Sequence, residues 1–132
     1  MLWGNYKMIY PNFKDMLMRG EVNLIKDKLW CVLSSSSYNS TDTRVTDINI
    51  SSKPQILQNK TLIAGVFDAS DVIFGGVELN TIIKSVVIYT DKDNMLVACI
   101  ENISGMPFDN TLKNNNIIAV NWNNFQNKIM SI

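Results

Sequence analysis

Apolar residues in the first part of this chain recur at the spacing of an α-helix. Phe13, Met16 and Leu17 stand at i, i+3 and i+4, so a helix here would show one apolar face. Pro11 suits the first helical turn, where its missing N–H costs nothing, and Gly20 suits the cap at the other end. The pattern therefore predicts a short helix between these two residues.

The rest of the chain has the spacing of β-strands. Leu29–Leu33 is continuously apolar, which is typical of a strand that is covered on both faces. Ile82–Tyr89 has the strongest strand pattern, and the alternation places Ile83 on the same face as Val87. Asp91–Asn94 predicts a tight hairpin turn. Further strand-like runs lie at residues 46–50, 55–58, 60–64, 67–74, 95–100 and 118–122.

These runs predict a mainly β protein with one short N-terminal helix. About six to eight short strands, separated by turns roughly every ten residues, are typical of an antiparallel β-sandwich of the jelly-roll type. A chain of 132 residues has the length of one domain. We therefore predict a single domain with a short N-terminal arm (1–10), a helix (11–20), a β-sandwich (21–125) and a C-terminal tail (126–132).

The charge balance restricts the partners. Lys plus Arg and Asp plus Glu each number 12, so the formal net charge is zero, and charged residues make up 18% of the chain. A nucleic-acid-binding protein needs an excess of Lys and Arg to neutralise phosphates, and no such excess exists here. The apolar runs are too short to span a membrane. We therefore expect protein partners, with no nucleic acid and no membrane.

Histidine and cysteine usage argues against most catalytic and metal chemistry. The chain has no His, which excludes Ser-His and Cys-His nucleophile pairs and most zinc sites. Cys31 and Cys99 are far apart in sequence, and both lie inside apolar runs. We interpret them as two buried free thiols. A disulfide between adjacent strands is the alternative, which an intracellular location disfavours.

Paired carboxylates are the remaining candidates for chemistry. Asp68 with Asp71, or Asp91 with Asp93, could act as acid and base or bind a divalent cation. Each pair also flanks a predicted turn, where Asp commonly accepts hydrogen bonds from backbone N–H groups. We favour that structural role, and we predict no catalytic residue, no metal ligand and no cofactor.

Large apolar side chains fall into two groups. Trp30 and Trp122 lie within apolar strands, so we predict that both are largely buried core residues. Others lie near the two ends of the chain, where a free terminus is normally polar unless something holds it. Burial against the same subunit is one explanation for these, and docking onto a neighbouring subunit is the other. The candidate interface residues are Leu2, Trp3, Phe125, Ile129, Met130 and Ile132.

Six segments with helix-like or strand-like patterns follow one another in an informative order. They are residues 13–20, 29–38, 67–74, 81–91, 95–100 and 118–122. This order resembles a family of small tailed-phage virion structural proteins, whose members open with an FK..L..G helix and continue through strands such as FDADDVTW and VIY.D. One departure lies at Ile50–Pro54, which replaces the family's stretch rich in Gly, Thr and Tyr. The resemblance implies a virion component of the head or the tail.

Two classes of function are consistent with these observations. In the first, the chain is a non-enzymatic virion protein made in the host cytoplasm, a capsid decoration (cement) protein or else a tail or fibre component. Its partners would be the major capsid protein, other virion proteins and further copies of itself. In the second, it is a small β-sandwich module that recognises a host-surface carbohydrate or protein. Tyr38, Asn39 and Asp42 are the candidate contacts for that module. We favour the decoration protein.

Overall fold

The computed structural model describes residues 7–77, 83–101, 108–109, 118–120, 122 and 129–131. Within them, one α-helix, α1, spans Pro11–Met18, and a short 3-10 helix spans Val45–Asp47. The strands are β1 (Lys7–Ile9), β2 (Leu29–Ser34), β3 (Gln55–Ile56), β4 (Thr61–Ile63), β5 (Val66–Asp68), β6 (Val72–Phe74), β7 (Ser85–Thr90), β8 (Leu96–Glu101), β9 (Phe108–Asp109), β10 (Ile118–Val120) and β11 (Met130–Ser131).

The strands form three antiparallel sheets. The central sheet has the order β1-β8-β7-β2-β3, and the two smaller sheets have the orders β6-β10-β9 and β11-β5-β4. All the strand pairs within them are antiparallel. The predicted class, mainly β with antiparallel sheets and one helix, is confirmed. The jelly-roll order of a two-sheet sandwich stays a prediction.

The central sheet is buried on both faces because its strands are apolar at consecutive positions. On one face, Leu29, Cys31 and Leu33 of β2 join a set of buried side chains that we call the large core, to which α1 and both smaller sheets contribute. On the opposite face lies a second set that we call the small core. It consists of Tyr10, Val32, Val45, Ile48, Val87, Tyr89, Leu96 and Cys99. The predicted two-sided burial of β2 is therefore confirmed.

Helix α1 docks on the large core through the predicted apolar positions. Phe13 is fully buried, and Met16 and Leu17 pack against the same core. The helix ends at Met18, two residues before the predicted end. The Gly20 N–H donates to the Leu17 carbonyl at 3.1 Å, and the next N–H donates to the Met16 carbonyl at 2.9 Å. This is a Schellman cap, which needs the left-handed φ of +74° that glycine adopts without strain.

The hairpin between β7 and β8 forms at the predicted position. Asp93 and Asn94 both have φ near +54°, and the Met95 N–H donates to the Lys92 carbonyl at 3.3 Å. Two successive left-handed residues define a type I′ turn, whose twist matches that of the flanking strands. Asp and Asn tolerate this conformation better than most residues, which is why the sequence signal was readable.

Three details of the strand predictions were wrong. Residues 46–50 do not form a strand, because the Asp47 carboxylate accepts the N–H groups of Thr43 and Arg44 and holds a 3-10 turn. Residues 67–74 form two strands in different sheets, because the strand is interrupted between Asp68 and Val72, where the Ser70 N–H donates to the carbonyl of Gln58 at 2.8 Å. The third error concerns residue 83.

Ile83 lies just before β7 and not within it. The alternation of side chains between the two faces of β7 therefore does not apply to Ile83. Its side chain is buried in the large core together with Val86 and Ile88. The predicted neighbour Val87 lies in the small core on the other face. The face assignment of Ile83 is corrected, while the opposite orientation of successive residues from Val86 to Tyr89 is as predicted.

The serine run after β2 has a structural role. The buried Ser34 hydroxyl donates to the Asn49 carbonyl at 2.8 Å and accepts the Ser36 N–H at 3.0 Å. From β7, the buried Ser85 hydroxyl donates to the Ser36 carbonyl at 2.9 Å. Because buried hydroxyl groups must be hydrogen-bonded to avoid a desolvation cost, these contacts fix the path of the chain where it leaves the central sheet.

Candidate interaction surface

Two of the four carboxylates considered for chemistry, Asp71 and Asp91, accept hydrogen bonds within the fold. The Asp71 Oδ1 atom accepts the backbone N–H of Trp122 at 3.0 Å. The Asp91 Oδ1 atom accepts the indole N–H of Trp30 at 3.2 Å. At Asp68, Oδ1 is buried and has no hydrogen-bond partner among the described residues, so this atom caps no turn. In the described part of the chain, no three His, Cys, Asp or Glu side chains cluster closely enough to hold a metal ion.

The two tryptophans differ in burial. Trp122 is fully buried in the large core, and its indole N–H donates to the Ser70 carbonyl at 3.0 Å. The core assignment of Trp122 is confirmed. Trp30 is only half-buried beside the small core, with its indole N–H directed to Asp91. The expectation that Trp30 is largely buried is therefore corrected, because β3, the strand beside it, is short and leaves the ring partly uncovered.

The two cysteines are poor nucleophiles. Burial raises the pKa of the Cys31 thiol, which lies in the large core. Burial also raises the pKa of Cys99 to about 11, although hydrogen bonds with the Ser85 and Tyr10 hydroxyls lower it in part. Since the thiolate is the reactive form of cysteine, both side chains are unreactive at neutral pH.

Two of the three side chains proposed for carbohydrate recognition, Tyr38 and Asn39, have contacts within the fold. The Tyr38 ring is half-buried and packs against the Tyr10 ring with a centroid distance of 5.1 Å. The side-chain amide oxygen of Asn39, Oδ1, accepts the N–H and the hydroxyl of Thr41 at 3.0 and 2.7 Å. A lectin-like platform needs an open aromatic face with free amide or carboxylate groups beside it. The Tyr38 ring and the Asn39 amide oxygen already have contacts of their own, which makes this loop a weaker candidate for such a platform.

Two of the six candidate interface residues lie in the described part of the chain. Ile129 and Met130 are buried in the large core, and Met130 of β11 pairs with Phe67 of β5. They are therefore core residues of their own chain, which is the first of the two explanations considered for the C-terminal tail. The other four, Leu2, Trp3, Phe125 and Ile132, lie outside the described residues.

The most exposed aliphatic side chains on β3 and β6 line one surface groove. β3 is the last strand of the central sheet and β6 is the last strand of a smaller sheet, and the two strands contact each other. Between them is a groove of about 150 Å³ that we call the edge groove. Its lining residues are Gln55, Ile56, Gln58, Ser70, Asp71, Val72 and Ile73.

Strand geometry explains why these aliphatic groups are exposed. Val72 and Phe74 point into the large core, so Ile73 between them faces outward and is 63% exposed. Ile56 lies opposite Trp30 on the small-core face of the central sheet. Because β3 is the edge strand, Ile56 is 36% exposed. The only ionisable side chain of the lining, Asp71, is bonded to Trp122. The edge groove therefore has a mainly polar lining, beside which two isoleucines, Ile56 and Ile73, are partly or largely exposed.

The edge groove was not identified from the sequence. Ile73 lies in a continuously apolar run, Val72-Ile73-Phe74, and such a run does not show which side chain is left uncovered. The exposure follows from strand order, which places β6 at the edge of its sheet.

Comparisons with protein families, with curated proteins and with solved structures found no match to this chain. Within the described residues, no helix is long and apolar enough to cross a membrane.

Proposed function

We propose that this protein is a non-enzymatic structural component of a bacteriophage virion, and that it is a capsid decoration protein that binds the major capsid protein. The observation that carries the proposal is the exposure of two isoleucines in the lining of the edge groove, Ile56 at 36% and Ile73 at 63%. Contiguous exposed apolar side chains on a soluble domain are typical of surfaces that bind another protein.

The chemistry of the edge groove favours a protein partner over a charged ligand. Its two exposed isoleucines, Ile56 and Ile73, gain free energy when a partner excludes water, at roughly 25 cal/mol per Å² of buried apolar area. The rest of its lining is mainly polar, and Gln55 and Gln58 supply neutral hydrogen-bonding groups. Apolar side chains next to hydrogen-bonding groups are usual in a specific protein interface. The formal net charge of zero adds no long-range repulsion between copies that are crowded on a shell.

The resemblance to phage structural proteins supports the same role. The segments that resemble the family form α1, β2, β5 to β8 and β10, and each of these elements contributes to the large core. A virion role on this basis predicts that the chain is found in assembled particles. Fab fragments raised against the recombinant chain should label particles of the encoding phage in electron micrographs, on the capsid surface.

The position of the label separates the candidates. Label on the capsid supports a decoration protein, and label on the tail supports the tail or fibre component in its place. Absence of the chain from purified particles, by labelling and by mass spectrometry, contradicts both.

A substitution in the edge groove tests the surface itself. We expect Ile73→Asp to reduce incorporation into particles at least about tenfold, because burying an unpaired carboxylate against a partner is costly. The matched control is Met18→Asp, at the end of α1, since Met18 is 88% exposed and does not line the groove. Both variants should keep the wild-type melting temperature. Equal incorporation of the two would reject the edge groove as the contact surface.

A further inference from the structure

Strand β4 presents an apolar edge to solvent. It is the last strand in the sheet order β11-β5-β4, and all three of its residues are exposed. Leu62 is 47% exposed and Ile63 is 70% exposed. A free edge with aliphatic side chains is a template for pairing with another strand.

The backbone N–H and C=O groups of Leu62 also face this free edge. Ala64 and Gly65 both have positive φ, 51° and 79°, so β4 and β5 are joined by a two-residue type I′ turn. In such a hairpin the pair next to the turn, Ile63 with Val66, exchanges hydrogen bonds, and the pattern alternates along the strand. The N–H and C=O of Leu62 therefore point away from β5, and no described residue bonds either group.

The other strands that end a sheet carry features that discourage pairing. β3 has only two residues and follows Lys53 and Pro54, and β1 contains Lys7. β9 and β11 end the two smaller sheets and have two residues each. β6 lies against β3. Natural proteins protect edges in these ways, with lysine, proline, short length or a covering element.

Apart from its short length of three residues, the β4 edge lacks such protection. The lysine nearest to it, Lys60, donates its ammonium group to the Asp27 carbonyl and is held by that loop. Neither proline nor charge occurs within Thr61–Ile63. Natural edges without protection are normally covered by another strand, and no described strand pairs with this edge.

We propose that β4 pairs antiparallel with β4 of a second copy of this chain, around a two-fold axis at Leu62. The three-residue strand is self-complementary in this register. Leu62 exchanges its N–H and C=O with Leu62 of the second copy, and Thr61 lies opposite Ile63. The hairpins of the two copies then form one continuous sheet. Charge does not oppose the contact, because the net charge is zero and the strand is uncharged.

The size of the contact sets its strength. Stable specific interfaces bury roughly 800 Å² on each partner, and a three-residue strand buries less than that. The pairing is therefore weak for two free chains and gains strength wherever many copies are held together. It concerns a different surface from the edge groove and does not depend on the proposed place in a virion.

Cysteine cross-linking tests the register. Directly paired residues have Cα atoms about 5.5 Å apart, within the range that a disulfide spans. Cys31 and Cys99 are buried, so the wild-type chain gives little background. With oxidised glutathione as the oxidant, we expect Leu62→Cys to form covalent dimer at least about ten times faster than Ile73→Cys, a control on a different strand. Equal rates would overturn the proposal.

Sedimentation velocity gives a second test that does not require a new thiol. The average mass of the wild-type chain should rise between about 10 μM and about 1 mM, as expected for a weak contact of this size. Ile63→Lys should abolish the rise by charging the edge, while Ile73→Lys should keep it. A wild-type chain that stays monomeric, or an Ile63→Lys variant that associates like the wild type, would each overturn the proposal. Unchanged melting temperatures confirm that the variants are folded.

Discussion

Cys31 and Cys99 lie on opposite faces of the central sheet, with one strand between them. Cys31 of β2 pairs with Ile88 of β7, and Cys99 of β8 pairs with Val87 of the same strand. The first thiol belongs to the large core and the second to the small core. Two side chains that point to opposite sides of a sheet, with a strand between them, cannot approach within the few ångströms that a disulfide needs.

The thiols should therefore stay free and protected. We expect mass spectrometry of the native chain to find no intramolecular disulfide, even after mild oxidation. In the folded state at pH 8, an aromatic disulfide reagent should label less than about one thiol in ten over minutes, because labelling requires local opening. In denaturant both thiols should react at once. Rapid labelling of either one in the folded chain contradicts its burial.

The same burial predicts a loss of stability at high pH. The pKa of Cys99 is raised from its ordinary value of 9.0 to about 11 in the folded chain. An acid with a raised folded pKa contributes stability below pH 9, and that contribution is lost as the pH rises through about 11. Burial raises the pKa of Tyr10 as well, and this adds to the same trend.

We expect the urea midpoint of the wild-type chain to fall between pH 8 and pH 10.5. The fall should be smaller in Cys99→Ala, which is less stable at pH 8 but has no thiol to titrate. An identical fall in both chains would show that Cys99 does not contribute to it.

Removing Trp122 should cost more than removing Trp30. Trp122 is fully buried and hydrogen-bonded to the Ser70 carbonyl, so Trp122→Ala should lower the free energy of unfolding by roughly 3–5 kcal/mol. Trp30 is half-buried, and Trp30→Ala should cost about half as much. Urea denaturation followed by circular dichroism measures both. A loss below about 1 kcal/mol for Trp122→Ala contradicts its place in the large core.

Ala64 should be a site where glycine stabilises the fold. Its φ of 51° is left-handed, which costs an L-residue with a Cβ roughly 1–2 kcal/mol. Glycine avoids this cost, but it also has greater conformational freedom in the unfolded chain, which lowers the free energy of unfolding by roughly 0.5–1 kcal/mol. We expect Ala64→Gly to raise the free energy of unfolding by about 0.5–1 kcal/mol. Asn94→Gly is the matched control in the other type I′ turn, and it should gain less, because Asn already tolerates this conformation.

The buried Ser34 should contribute to the free energy of unfolding, whereas the exposed Ser37 should not. Ser34→Ala leaves the Ser36 N–H without its acceptor, which costs about 1–3 kcal/mol where that group is shielded from water. The Asn49 carbonyl loses one of its two donors and still accepts the Ser35 N–H. Ser37 is exposed in the same run, and Ser37→Ala should change the free energy of unfolding by less than about 0.5 kcal/mol. Similar thermal midpoints for the two variants would argue against the serine contacts.

Local patterns in the sequence determined the elements whose contacts are local. Pro11 and Gly20 bracket α1 because the helix start and its glycine cap depend only on nearby backbone groups. The Asp93-Asn94 turn was readable because both residues tolerate positive φ. Burial of Trp122 was readable from its alternation with Ile118 and Val120.

Only the tertiary structure decided which apolar side chains remain in contact with solvent. Ile73 and Ile63 stand in apolar runs that look like core, yet they are exposed because β6 and β4 are the last strands of their sheets. Strand order also placed the two thiols apart. The order of strands in a sheet is set by pairings between residues distant in sequence, which a local pattern does not show. The edge groove, which lies between the edge strands β3 and β6, could therefore not be predicted from the sequence alone.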